Sequence, residues 1–191
     1  MIFDYPPSRA HRRHGPIGYS DYSSFRPWLR DEFEFRCVYC LKRETWGVVV
    51  GEFDLDHFCA QAVRPDLVTQ YENLVYACRR CNIIKGVATI DDPFTVLVAG
   101  RIRSQPDGSV TSLDQAARRI ELVLDLNSPR LIQWRLLWTR FVALAEANDS
   151  ELWDELTGLP RDLPDLSPLR PPGGNSRAEG IEESSYATRA K

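Results

Sequence analysis

Two Cys-x-x-Cys pairs, Cys37-Val-Tyr-Cys40 and Cys78-Arg-Arg-Cys81, constrain this chain of 191 residues more than any other feature. Each pair offers two sulfurs from one tight turn, and two such turns build one tetrahedral four-cysteine site. Zinc suits that donor set, and iron in a rubredoxin-type site is a weaker fit. A disulfide framework is disfavoured by the odd total of five cysteines and by the N-terminus, MIFDYPPSRAHRRHG, which has no secretory-type apolar stretch. A redox role for one pair would need a βαβ pattern around it, and neither pair has one. The fifth cysteine, Cys59, is expected to fill a small apolar space. An ordinary zinc ribbon puts about 15–20 residues between its pairs. Here residues 41–77 intervene, 37 positions that hold polar residues of their own.

Composition narrows the class. A hydrophobic fraction of 43% is enough for a buried core. No apolar run approaches the roughly 18 residues of a membrane helix, so the expectation is a protein with no membrane partner, cytoplasmic in location. The net charge of −3 argues against coating nucleic acid through bulk positive charge. The charge is uneven, however. Residues 1–43 carry eight bases and five acids, residues 64–103 six bases and four acids, and residues 146–166 seven acids and one base. The front half is the part suited to a polyanion.

Four regions follow from the pattern. Residues 1–24 read as a basic N-terminal arm with little structure of its own. In residues 25–36, Phe25, Trp28, Leu29, Phe33 and Phe35 fall near one helical face, with Pro27 in the first turn. Residues 46–50 and 52–57, split by Gly51, predict a strand pair or one bent strand; residues 74–77 predict another strand, and residues 79–86 a helix stopped by Gly86. Together 25–93 form the expected central module. Residues 94–157 are its extension: a hairpin from 94–99 and 101–111 around Pro106-Asp107-Gly108, a helix from Ser112 with Gln115 completing a capping box, and a second helix after Ser128 with Pro129 at its first position. Leu113, Ala116, Ala117, Ile120 and Leu124 line the first of these helices, and Leu131, Trp134, Trp138, Phe141 and Ala145 the second, as core-facing stripes. Residues 158–191, rich in proline and then polar, predict a disordered tail. The fold class expected is α+β.

The chemistry concentrates in Asp54-Leu55-Asp56-His57 and in Asn82 and Lys85. On a strand, Asp54 and Asp56 share one face, and Leu55 and His57 the other, a rule that relaxes at the strand end. A carboxylate is a hard oxygen ligand suited to Mg2+, and a neutral imidazole can take a proton from water. Asn82 can add a carbonyl oxygen, and Lys85, one turn on, a cation for phosphate.

The order CVYC, FDLDHF, YENLVYACRRCNIIKG resembles the HNH endonuclease family, in its subgroup with a four-cysteine zinc site. The match spans residues 37–86, about a quarter of the chain. The resemblance implies a ββα-metal core, two antiparallel strands and a helix gripping a divalent ion. It implies His57 as general base, Asp56 and Asn82 as ligands of a catalytic Mg2+ or similar ion, and Asn73 as the residue that pins the loop orienting His57. It also implies Cys37, Cys40, Cys78 and Cys81 as structural zinc ligands. Where the family often carries a proline and glycines after Asp-His, this chain has Phe58-Cys59-Ala60-Gln61.

The expected function is therefore hydrolysis of phosphodiester bonds in DNA, or RNA, with Arg79, Arg80 and Lys85 near the site and Arg9, Arg12 and Arg13 in the arm contacting phosphates. The alternative is a zinc-stabilised nucleic-acid-binding or adaptor module without cleavage. Residues 112–148 read as a dimer surface or as a lid on the core; the partners expected beside nucleic acid are a second copy of the chain or a defence-system protein.

Overall fold

Leu-Val-Tyr-Ala-Cys is apolar throughout, as a strand covered on both faces must be. In a computed structural model, which describes residues 2–47 and 52–189, Leu74–Cys78 is a strand buried at every position (β2). It pairs antiparallel with Phe53–His57 (β1), in the register Phe53 to Cys78, Leu55 to Tyr76 and His57 to Leu74. Phe53 and Tyr76 stack across the pair at 5.0 Å. Cys78 keeps extended backbone while capping the next helix, Arg79–Lys85 (α2), so strand passes into helix with no loop. Gly86, at φ 53°, ends the helix by turning left-handed and donating its N–H to Asn82. Of the residues expected to lead into β1, Glu44–Trp46 is a 3-10 turn. The rest of the strand expected at 46–50, residues 48–50, lies with Gly51 outside those described.

The first helix, Arg26–Glu32 (α1), buries Trp28 and Leu29 fully, with Phe25 before it and Phe33 after it. After Phe33 the chain turns through left-handed Glu34 and Phe35 into the first Cys pair. That turn closes through Cys37 N–H to Lys42 and Leu41 N–H to Cys37, and Val38 N–H anchors it to Tyr76 of β2.

Beyond α2 the fold differs from the local reading in two places. Residues 94–99 are not a strand: Pro93–Val96 is one helical turn (α3), because Asp92 accepts the Phe94 N–H at 2.9 Å and Pro93 fixes the first helical φ. That local cap outweighs the β-preference of Phe-Thr-Val. The hairpin is confined to Ile102–Ser104 (β3) and Val110–Ser112 (β4), joined through Gly108 at φ 80°. The helix Gln115–Val123 (α4) is capped by Asp114, which accepts the Ala117 N–H at 2.9 Å; Ser112 ends β4 instead and donates to Glu121. Pro129–Asn148 (α5) starts where expected, and Ser150–Thr157 (α6) follows it. Ala117, Ile120, Leu124, Leu131 and Ala145 are buried, whereas Leu113 and Phe141 are exposed. Trp46 stacks on Trp138 at 4.7 Å, and Phe3 meets both Trp46 and Trp134 edge-on.

The arm and tail are both packed, which corrects the reading of each as a segment with little or no structure. Phe3 and Tyr5 are buried, and the Tyr5 hydroxyl donates to the Tyr39 carbonyl at 2.8 Å. In the tail Leu166 is fully buried, Ile17 exchanges backbone hydrogen bonds with Gly173 and Gly174, and a last short helix, Ser185–Arg189 (α7), docks by its first N–H on Asp31. Prolines preset an extended backbone and remove donors, so such a segment can be held by few hydrogen bonds and needs no helical or strand period. The described residues form an α+β molecule with two small antiparallel sheets. No helix among the described residues is long and apolar enough to cross a membrane.

Candidate active site

The β1–β2 pairing and the direct β2-to-α2 junction bring the two Cys turns together. The sulfurs of Cys37, Cys40, Cys78 and Cys81 are buried and lie within 4.8 Å of one another, with Cys40 and Cys78 at 3.6 Å. Four sulfurs about 2.3 Å from a tetrahedral ion stand about 3.8 Å apart, so this cluster could hold a metal ion. Burial pushes the Cys37 thiol up, while hydrogen bonding from Cys37, Cys40 and Cys81 pulls Cys78 down.

Tyr39, inside the first Cys turn, ties that cluster to β1. Its hydroxyl donates to Asp56 Oδ2 at 2.6 Å. Burial and then the Asp56 charge push the Tyr39 phenol up, which keeps it a donor. Lys85, at the end of α2, donates to Asp56 Oδ1 at 2.9 Å and to the His57 carbonyl at 2.7 Å. Asp56 is 4% exposed and its two oxygens each have a donor.

His57 faces a different set. Its Nε2–H donates to the Val68 carbonyl at 2.8 Å, since a carbonyl can only accept. Nδ1 is then the basic nitrogen, and the Gln61 amide caps it at 3.0 Å. Burial lowers the His57 pKa from its ordinary value, which keeps the ring neutral near pH 7. The ring of Tyr22 packs edge-on against it at 4.9 Å. Asn73 organises the loop between the strands: its Oδ1 accepts the Cys59 N–H at 3.0 Å, and its Nδ2 donates to the carbonyls of Cys59 at 3.1 Å and Leu67 at 3.3 Å. Val68, which holds the imidazole, is the next residue after Leu67.

A cleft of about 380 Å³ is lined by Tyr22, Ser23 and Arg26 from the α1 side, Asp54 and Leu55 from β1, and Arg79, Asn82 and Ile83 from α2; His57 is not in this lining and meets it through the Tyr22 ring. Asn82 Nδ2 lies 3.3 Å from Asp54 Oδ2. Arg26 and Arg79 are exposed at its rim, and Arg26 donates one nitrogen to the Phe53 carbonyl at 3.0 Å.

The expected residues divide accordingly. The four cysteines converge, Asn73 pins its loop, and Arg79 and Asn82 line the cleft. Asn82 bonds Asp54, however, and Asp56 is taken up by Lys85 and Tyr39. Lys85 is no phosphate contact: it is 3% exposed and spent inside. Arg80 turns away from the cleft to bond the carbonyls of Leu124 and Asp125 and the Ser128 hydroxyl. Arg12 is 5% exposed and set against the rings of Phe33, Tyr71 and Phe94, so it is not presented to phosphate; Arg9, half-buried, lies over Phe33 and Phe94. Arg13 pairs with Asp31. Tyr22, Arg26, Tyr39, Asp54 and Gln61 are the site residues that sequence reasoning did not assign. Only Asp54 had a signal, its alternation with Asp56. Comparison with protein-family models, curated proteins and solved structures gives no match.

Proposed function

We propose that this chain is a metal-dependent endonuclease of the HNH type, hydrolysing phosphodiester bonds of DNA. The observation that carries this reading is the fixed tautomer of His57: Nε2–H on Val68 leaves Nδ1 as a neutral base at the end of β1. The adjoining cleft offers two arginines for a phosphate, and an oxygen-rich pair for a cation.

In this mechanism Arg26 and Arg79 receive the phosphodiester, and their charge offsets that of the phosphoryl oxygens. Gln61, which is exposed, leaves Nδ1 so that a water can take its place. His57 then removes the proton of that water as it attacks phosphorus. The resulting imidazolium keeps its donor bond to Val68 and lies next to the Asp56 charge. Asn82 and a carboxylate of β1 would hold a divalent ion, which would supply stabilisation of charge on the departing 3′-oxygen. The four-cysteine cluster is read as a zinc site that fixes the β2–α2 junction and, through Tyr39, the position of β1.

The test is plasmid nicking with Mg2+ or Mn2+, with and without EDTA. His57→Ala should cut the rate by about 10²–10⁴, the usual worth of general-base catalysis, while zinc content and folding are retained. Nicking by folded His57→Ala at the parent rate would remove the base assignment. Metal-independent DNA binding with no nicking by the parent protein would leave the adaptor reading in its place.

A further inference from the structure

β1 presents two carboxylates toward α2, and the fold gives them opposite surroundings. Asp56 is 4% exposed; one oxygen takes the Lys85 ammonium and the other the Tyr39 hydroxyl. A divalent cation at Asp56 would have to displace a buried ammonium or stand beside it, and like charges at such range repel strongly away from water. Asp54 is half-buried and opens on the cleft, and no lysine or arginine among the described residues forms an ion pair with it. Its Oδ2 is 3.3 Å from the Asn82 amide nitrogen. Turning that amide about its last bond exchanges nitrogen for oxygen, and leaves two oxygens at a similar separation. Adjacent oxygens around an octahedral ion with bonds of about 2.0–2.1 Å stand about 3 Å apart.

We infer that Asp54, with Asn82, holds the catalytic divalent ion, and that Asp56 is the internal counter-ion of Lys85. This deepens the nuclease reading and rests on it for the ion's catalytic role; the binding site itself stands or falls separately. The cleft leaves the remaining positions of the ion to water and to the substrate's phosphate oxygens, the usual habit of Mg2+.

The experiment is Mn2+ binding to the full zinc-loaded chain, followed by the loss of the free-ion electron paramagnetic resonance signal, with zinc content and urea unfolding measured on each variant. Asp54→Asn should weaken Mn2+ binding at least about 10-fold, since even partners behind the ligands cost about 10–100-fold in affinity. Asn82→Ala should weaken it likewise, and Asp54→Glu should restore part of it. Asp56→Asn should lower stability and leave Mn2+ affinity as in the parent. Should Asp56→Asn fail to fold, Asp56→Asn/Lys85→Met removes both buried charges and should bind Mn2+ like the parent. Parent-like binding by Asp54→Asn, or binding lost on neutralising the Asp56–Lys85 pair in a folded chain, overturns the assignment, as does a parent protein that binds no Mn2+. A parent that binds Mn2+ through Asp54 yet nicks no DNA leaves the ion site in place and removes the nuclease reading.

Discussion

Burial decides between two roles for Lys85. Its sequence position, one turn after Asn82, suggests a cation reaching for phosphate. In the fold its side chain is 1% exposed, and its ammonium bonds Asp56 and the His57 carbonyl. Lys85→Met should therefore cost about 3–5 kcal/mol, the usual penalty for leaving one buried charge without its partner. Urea unfolding would read this directly, and Lys85→Met/Asp56→Asn should recover much of the loss. A lysine that only touched DNA would behave oppositely: unfolding unchanged, and the salt dependence of DNA binding reduced by about one phosphate contact. The sequence carried half of this. Period-two alternation puts Asp54 and Asp56 on one face, but which of them meets an ammonium depends on where α2 ends over β1, a tertiary distance no local pattern encodes. Tyr39 and Gln61 were invisible for the same reason, since each acts on a residue distant in the chain or beyond a turn.

Among elements, the β2–α2 junction was the most legible, because everything that builds it is local. Leu74–Cys78 is a continuous apolar run, Gly86 supplies the left-handed stop, and the Cys pair sits across the boundary. The α3 segment shows where that legibility ends. Phe-Thr-Val-Leu-Val-Ala has strand composition, and the single Asp92 side chain that caps Phe94 reverses the outcome. Since Cys78 caps α2 and Cys81 lies in its first turn, a metal held by the cluster would tie the strand end to the helix start, and its loss would release both. Structural zinc contributes about 10–16 kcal/mol in small metal modules, comparable with the roughly 5–15 kcal/mol that holds a whole domain. Cys78→Ser should accordingly lose zinc and its cooperative melt together, seen as a flat circular-dichroism transition beside a zinc assay. A soluble Cys78→Ser protein that melts like the parent would show that the cluster is not a structural site.

At the scale of the molecule, the arm and the tail close over α1 through two adjacent carboxylates. Glu32 accepts the backbone N–H groups of Arg13 and His14 and the Tyr71 hydroxyl. Asp31, 1% exposed, accepts from His14 Nε2 at 2.7 Å, from Arg13 at 3.1 Å, and from the Ser185 N–H at 2.7 Å. Asp31 thus holds the arm 17 positions before it and the tail 154 positions after it, which is why neither end of the chain could be read from composition: the partner that orders each segment lies in α1. Burial works to raise the Asp31 pKa, but the hydrogen bonds from His14 and Ser185 outweigh it and hold the carboxyl below its ordinary 3.8. A group depressed in this way stabilises the fold fully above its unfolded value, and that stability is lost as pH falls through the lower, folded one. Asp31→Asn should cost about 3 kcal/mol at neutral pH, within the range for breaking a buried charged network. The gap between parent and variant in urea unfolding should then shrink as pH drops below about 3.8, where the parent's carboxylate also takes up a proton. The same variant should free the tail, so trypsin at about pH 8 should cut after Arg177 faster than in the parent. A constant gap across the acid range would mean that Asp31 stabilises by packing alone, and unchanged cleavage after Arg177 would mean that the tail is held by Leu166 and the Ile17–Gly174 bonds without it.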